Sequence, residues 1–318
     1  MASDPGPFNL DLMITRACPL SCGYCRMERR PGPVPGQVWR KAVDLLLLES
    51  GPLELQYLGG EPLLEYDLLL KISSHASDRS RTADRDLRQV VTTNGLLLTP
   101  SRSRELARLG VGVMLSMDGS RESQTSQRSM GAPGWARLRR NLEGLLASGN
   151  RCFVNLVVTP ESAPKLAGNT AFLVKEGVRC LQIAYGLGVL WDEASLACLE
   201  DQLRKAREIA QASGVELYNR GGKAEPVVLS PQHLVDTDGT LFVGTAIVLE
   251  KLWPGLQAAF CSGSIKTMAR LPGRSMTRTG QLERIRRARL EPEARAILLN
   301  NLAVGQRMKR FWTEAPVR

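Results

Sequence analysis

Along the first two-thirds of the chain, apolar residues recur in two rhythms that take turns. Short apolar runs at residues 10–14, 53–58, 89–92, 111–116, 152–158 and 178–184 read as strands. Between them, apolar residues fall at helical spacing over 38–48, 66–74, 101–109, 135–147, 163–175 and 193–212. Breakers stand where the rhythm changes: Gly51-Pro52, Gly110, and Gly149 in the position of a helix C-cap. Residues 29–35 are rich in Pro and Gly and read as a loop, and 79–88 read as a charged connection. Strand and helix alternating six times imply a parallel sheet joined by right-handed crossovers. The expected fold class is therefore α/β, a partial (β/α)6 barrel, because six such units close only partway.

From Val215 the rhythm changes. Residues 227–229 and 234–247 read as short strands, the second interrupted by an Asp238-Gly239 turn, and a basic, largely helical tail covers 281–312. This divides the chain into a barrel at 1–215 and a short α+β C-terminal extension at 216–318.

Composition narrows the class without choosing a function. At 318 residues, 43% hydrophobic and 23% charged, the chain can bury a large core like an ordinary globular protein. It holds no apolar run of about 18 residues and opens without a signal-peptide pattern, so the expectation is cytoplasmic, with no membrane partner. A net charge of +10 raises nucleic acid as a partner, but aromatics are only 5% and the run Arg284-Ile285-Arg286-Arg287-Ala288-Arg289 spreads over several helix faces. A solvated surface is the favoured reading, and nucleic acid is not. Seven cysteines form no disulfide framework in a chain of this length. Cys152, Cys180, Cys198 and Cys261 are scattered, and most read as small buried hydrophobes.

The remaining three cysteines carry the chemistry. Cys18, Cys22 and Cys25 follow the first strand at a three-then-two spacing, so one compact loop can turn three thiolates toward a soft metal centre. Three ligands suit a [4Fe–4S] cluster with one iron left uncovered. Zinc competes, yet a structural zinc site wants four ligands and usually a second Cys or His pair; no such pair follows, and the only histidines are His75 and His233. Further candidates stand at the ends of later strands, where α/β enzymes gather their chemistry. Gly59-Gly60-Glu61-Pro62 offers close backbone approach to a ligand and a carboxylate for an ammonium group. Thr93-Asn94-Gly95 and Ser116-Met117-Asp118-Gly119 offer small polar groups, although each is also a common turn sequence.

Taken together, these motifs resemble the radical S-adenosylmethionine (SAM) superfamily. Tyr24, just before the third cysteine, matches its aromatic position. The later elements resemble the branch of anaerobic sulfatase maturases and peptide maturases. The resemblance implies that Cys18, Cys22 and Cys25 hold the cluster, whose open iron is chelated by SAM. Reductive cleavage of SAM then gives a 5′-deoxyadenosyl radical that abstracts hydrogen from substrate. It further implies that Tyr24, Gly59, Gly60, Glu61, Asn94, Ser116, Asp118 and Arg128 bind the cofactor, with Ser116 on the ribose and Arg128 on the carboxylate.

The resemblance covers residues 8–190 and weakens afterwards. Val235 to Phe242 is similar to the opening of the SPASM-type extension that holds auxiliary clusters in relatives. The cysteines expected to follow are absent, since Val243-Gly244-Thr245 stands in their place. Cys261 is the one cysteine beyond residue 215. By likeness to peptide epimerases it is a catalytic candidate, a hydrogen donor to a substrate radical, and a structural thiol otherwise. The implied function is maturation of a peptide or protein substrate, with an external electron donor. Few residues precede Leu10, so a separate peptide-recognition partner is conceivable. A small-molecule substrate, a nucleic-acid substrate and a non-catalytic iron–sulfur regulator are the competing readings.

Overall fold

The computed structural model describes residues 6–219, 229–230, 232–244, 250–273 and 278–314. Strands β1 (Phe8–Thr15), β2 (Leu53–Gly59), β3 (Leu87–Thr93), β4 (Val111–Ser116), β5 (Cys152–Val158) and β6 (Cys180–Tyr185) pair in chain order, all parallel. Helices α1 (Gly36–Leu47), α2 (Tyr66–Thr82), α3 (Pro100–Arg108), α4 (Arg121–Arg128), α5 (Ala132–Leu146), α6 (Leu166–Lys175) and α7 (Glu193–Ala212) fill the crossovers. The alternation along each strand explains the layering. Leu10, Leu12 and Ile14 of β1 and Leu53, Leu55 and Tyr57 of β2 join one core with Val38, Val43, Leu46, Leu69 and Ile72 of the helices. The opposite face is more polar, with Asn9 donating to Glu54 (2.8 Å) and Gln56 to Thr92 (2.7 Å) across neighbouring strands. Asp11 shares that face, and burial, helped by Glu54, pushes its carboxyl well above the usual range.

Three local expectations change. Helix α2 runs on to Thr82 through the expected connection, because charges on a solvent face do not break a helix; Arg79 there pairs with Asp44 of α1 at 3.1 Å. The polar segment forming α4 has no apolar rhythm to betray it and is started by Ser120, whose side chain accepts from the Ser123 amide. Beyond the boundary read at residue 215, β7 (Glu216–Leu217) adds a seventh parallel strand beside β6.

The extension continues the same sheet. Strand β8 (His233–Val235) pairs in parallel with the open edge of β1, followed by antiparallel β9 (Thr240–Val243) and β10 (Cys261–Ser264). The complete order is β10-β9-β8-β1-β2-β3-β4-β5-β6-β7. The strand read at 227–229 lies, apart from Leu229, outside the described residues, as does the end of the 234–247 stretch. Helices α8 (Pro254–Phe260), α9 (Arg278–Arg287) and α10 (Pro292–Glu314) build a second core around Trp253, Phe260, Ile285 and Leu298. In the basic run, Ile285 and Ala288 are buried while Arg286, Arg287 and Arg289 are exposed, which is the solvated face. Among the described residues no helix is long and apolar enough to cross a membrane.

Candidate active site

The loop leaving β1 makes a wide excursion and returns to its start. The Val34 amide donates to the Ile14 carbonyl at 2.8 Å, and the Thr15 hydroxyl to the Gly32 carbonyl at 3.2 Å. Inside this closed loop, Cys18 and Cys22 are half-buried and Cys25 is exposed. The Cys25 amide donates to the Cys22 carbonyl at 3.1 Å, and Arg29 donates to the Leu20 carbonyl. The loop is also tied to the end of α4, with Gly23 donating to the Gln127 carbonyl (2.8 Å) and Ser129 to the Ser21 carbonyl (2.9 Å). Burial raises both the Cys18 and the Cys22 thiols; Cys25 adds to the rise at each, and Cys18 adds to it at Cys22. The Arg128 guanidinium pulls Cys22 the other way.

Among the described residues no three His, Cys, Asp or Glu side chains converge as ligands of one metal ion. An iron–sulfur cluster asks for no such convergence, because its thiolates sit on different irons. Three thiols on one loop, with Asn94 Nδ2 4.0 Å from the Cys18 sulfur, form a donor set that suits such a cluster better than zinc.

The Gly-Gly-Glu-Pro turn holds this loop from beneath. The Gly60 amide donates to the Thr15 carbonyl and the Glu61 amide to the Ala17 carbonyl, both at 2.9 Å. A Cβ at position 59 would lie 2.4 Å from the Thr15 oxygen, and one at position 60 would lie 2.3 Å from the Ala17 oxygen. The chain's own cysteine loop therefore packs against both glycines on the side where a Cβ would stand. Glu61 follows them in the same turn. It is fully buried, and its carboxylate accepts from Thr93 Oγ1 (2.7 Å), the Asn94 amide (2.8 Å) and the Leu63 amide (3.1 Å). Burial raises its carboxyl, against those three bonds. It ties the end of β2 to the end of β3.

Ser116 and Asp118 divide their expected work differently. Ser116, at the end of β4, is half-buried and its hydroxyl makes no hydrogen bond among the described residues. Asp118 is fully buried and saturated. It accepts from Arg128 Nε and Nη2 (2.8 Å each), from the Tyr24 hydroxyl (3.0 Å) and from the Val157 amide (3.0 Å). Its role here is to aim Arg128 and Tyr24. Burial works against the Arg128 charge, but the Asp118 carboxylate outweighs it and keeps the guanidinium ionised. Arg128 Nη1 makes no hydrogen bond among the described residues, and the group lies 5.4 Å from the centre of the Tyr24 ring. Beside Tyr24 a cavity of about 330 Å³ opens, lined in part by Gly23, Arg26, Gln127, Thr159 and Ser162. Gln127 was not foreseen, since its contact with the loop runs through its backbone carbonyl and any residue type supplies that.

Cys261 is not brought to this rim. It is exposed at the start of edge strand β10, and its register runs through Phe242 and Leu234 to Asp11 of β1. Asp11 lies four residues, or about 13 Å of strand, below Thr15, and three strand spacings add about 14 Å sideways. The thiol is thus neither buried nor near the cysteine loop.

Comparison with known proteins bears on family and fold. Residues 12–165 match the family model of the radical SAM superfamily. The PqqA peptide cyclase of Gluconobacter oxydans is 29% identical over 218 residues, 65% of this chain and 58% of that protein. The AdoMet-dependent heme synthase of Nitratidesulfovibrio vulgaris is 26% identical over 200 residues, 61% of this chain and 51% of that protein. The chain thus spans about half the length of these relatives. Among solved structures, native anSMEcpe with bound AdoMet and Kp18Cys peptide matches with a TM-score of 0.74 at 17% identity, over 96% of this chain and 97% of that one. At that identity the match speaks for the fold, the partial barrel expected from the strand–helix alternation. The chain carries, over residues 12–165, the domain of the radical SAM superfamily of enzymes.

Proposed function

We propose that the protein is a radical SAM enzyme that modifies a peptide or protein substrate. In this reading Cys18, Cys22 and Cys25 hold a [4Fe–4S] cluster, and SAM lies along the rim between the cysteine loop and the ends of β2 to β5. When bound, cluster and SAM supply one-electron chemistry that ends in hydrogen abstraction from the substrate, fed by an external electron donor. The chain's own residues bind and orient. The observation that carries the reading is a pair of unused donors on the rim, the Ser116 hydroxyl and Arg128 Nη1, beside the saturated Asp118 carboxylate. The hydroxyl suits a ribose oxygen, and the guanidinium edge, aimed by Asp118, suits a carboxylate. Tyr24, pinned through its hydroxyl, walls the recess where the nucleoside would lie.

The peptide class draws support from the PqqA peptide cyclase and from the peptide bound by anSMEcpe. The heme synthases among the relatives favour a second reading, a small biosynthetic intermediate as substrate. A cytoplasmic address and a separate recognition partner belong to the same proposal. The test is release of 5′-deoxyadenosine from SAM by anaerobically reconstituted protein supplied with a reductant. Ser116→Ala should weaken SAM binding about five- to tenfold, the loss of one hydrogen bond worth about 1 kcal/mol. No deoxyadenosine from iron-loaded protein would refute the enzymatic reading. A precursor-peptide gene next to this one, or a porphyrin precursor consumed instead, would choose the substrate class.

A further inference from the structure

The extension meets the cysteine loop at a buried ionic cluster that the proposed chemistry does not use. Arg16, two residues before Cys18, is 1% exposed. Its Nε and Nη2 donate to the two carboxylate oxygens of Asp236 (2.9 and 2.5 Å), and its Nη1 to Glu250 Oε2 (2.6 Å). Nη1 also reaches the Glu28 carbonyl at 3.3 Å. One side chain thus joins the segment before the first cysteine, the segment after the third, and carboxylates 220 and 234 residues further along. Burial opposes its charge, but the bonds to Asp236 and Glu250 outweigh that and keep it ionised.

Other contacts close over the same loop. Met27 packs with Met13, Leu234 and Phe242, and the Lys251 amide donates to the Arg26 carbonyl at 3.2 Å. Arg30 bridges Glu250 (3.3 Å) and Glu28 (2.6 Å). A buried guanidinium between two carboxylates is a poor way to gain stability over apolar packing, but its planar bidentate geometry fixes direction.

We infer that Arg16 is a positioning residue, and that Asp236 and Glu250 of the extension set where the loop bearing Cys18, Cys22 and Cys25 stands on the rim. The inference rests on reading those cysteines as cluster ligands. It gives the extension a task that needs no cysteines of its own: it is the fixed half of a clamp on the loop. Residues that never touch the cluster then govern how well it is loaded and how easily it is reduced.

The test uses the full chain, reconstituted anaerobically, as wild type, Asp236→Ala, Asp236→Asn and Glu250→Gln. In Asp236→Ala, hydrogen exchange over residues 16–30 should rise at least tenfold while β3 to β6 keep their protection. Iron per chain should fall at least twofold, and the electron paramagnetic resonance spectrum of the reduced cluster should change. Asp236→Asn keeps the shape and an acceptor but removes a negative charge. It should load more iron than the alanine variant and shift the cluster potential to more positive values. Wild-type exchange and an unchanged spectrum in folded Asp236→Ala would overturn the inference. If that variant does not fold, Glu250→Gln carries the same comparison with a smaller effect, and wild-type behaviour there overturns the inference equally. Should wild type take up no iron, the cluster reading fails by itself, while exchange over 16–30 still decides whether the clamp exists.

Discussion

The rim of the barrel and the C-terminal extension reach the same loop by opposite routes. The rim is assembled from the ends of consecutive parallel strands, so Gly60, Glu61, Thr93 and Asn94 meet through neighbours in chain order. The extension arrives from beyond residue 230, pairs β8 with β1, and sets its carboxylates on Arg16. The two regions also treat cysteine differently. The rim gathers three on one loop, whereas the extension leaves Cys261 exposed at an edge strand. In the proposed reading, metal chemistry belongs to the part built from local repeats, and the distant part contributes positioning.

The largest effect that can break this contrast is loss of the metal site. Replacing Cys18, Cys22 and Cys25 together with Ala should abolish the iron-linked visible absorbance of reconstituted protein, while Cys261→Ala should leave it intact. Iron retained by the triple variant, or lost with Cys261, would reverse the assignment of the two regions.

Gly60→Val comes next. Its Cβ would fall 2.3 Å from the Ala17 carbonyl, a backbone atom that cannot step aside without moving the cysteine loop. Iron loading and SAM binding should therefore fall together, measured by iron content and by calorimetry. Full iron with SAM binding alone lost would show that the glycine faces the ligand after all.

Asp118→Ala should cost about 3–5 kcal/mol of stability, the usual penalty for stranding a buried charge such as that of Arg128. Denaturant melts would measure it, and a loss below about 1 kcal/mol would mean that Arg128 is hydrated.

The smallest effect concerns the extension. His233 of β8 is buried, stacked on Phe8, and its pKa is lowered by desolvation. Its neutral ring contributes stability that is fully present above the unfolded value of about 6.5 and is lost as pH falls through the lower folded value. Exchange protection of β8 and β9 should weaken over that window in wild type and hold steady in His233→Phe. Equal pH dependence in both proteins would remove His233 as the cause.

Much of this molecule was determined locally and is legible in the sequence. Six strand–helix units follow from apolar rhythm, because each unit buries one face against its own crossover helix. The cysteine loop and the three strand-end motifs stand out for the same reason, since their residues lie close together in the chain. What only the tertiary structure decided is the partner of each polar group. Glu61 and Asp118 carry acidic side chains in turns whose partners the sequence does not announce; the fold engages one with Thr93 and Asn94 and the other with Arg128 and Tyr24. The two glycines serve a backbone contact that sequence cannot distinguish from a ligand contact, because both demand only that Cβ be missing. Arg16 is the extreme case. Nothing near it in the chain announces Asp236 and Glu250, since an ion pair across 220 or more residues exists only once β8 has docked on β1.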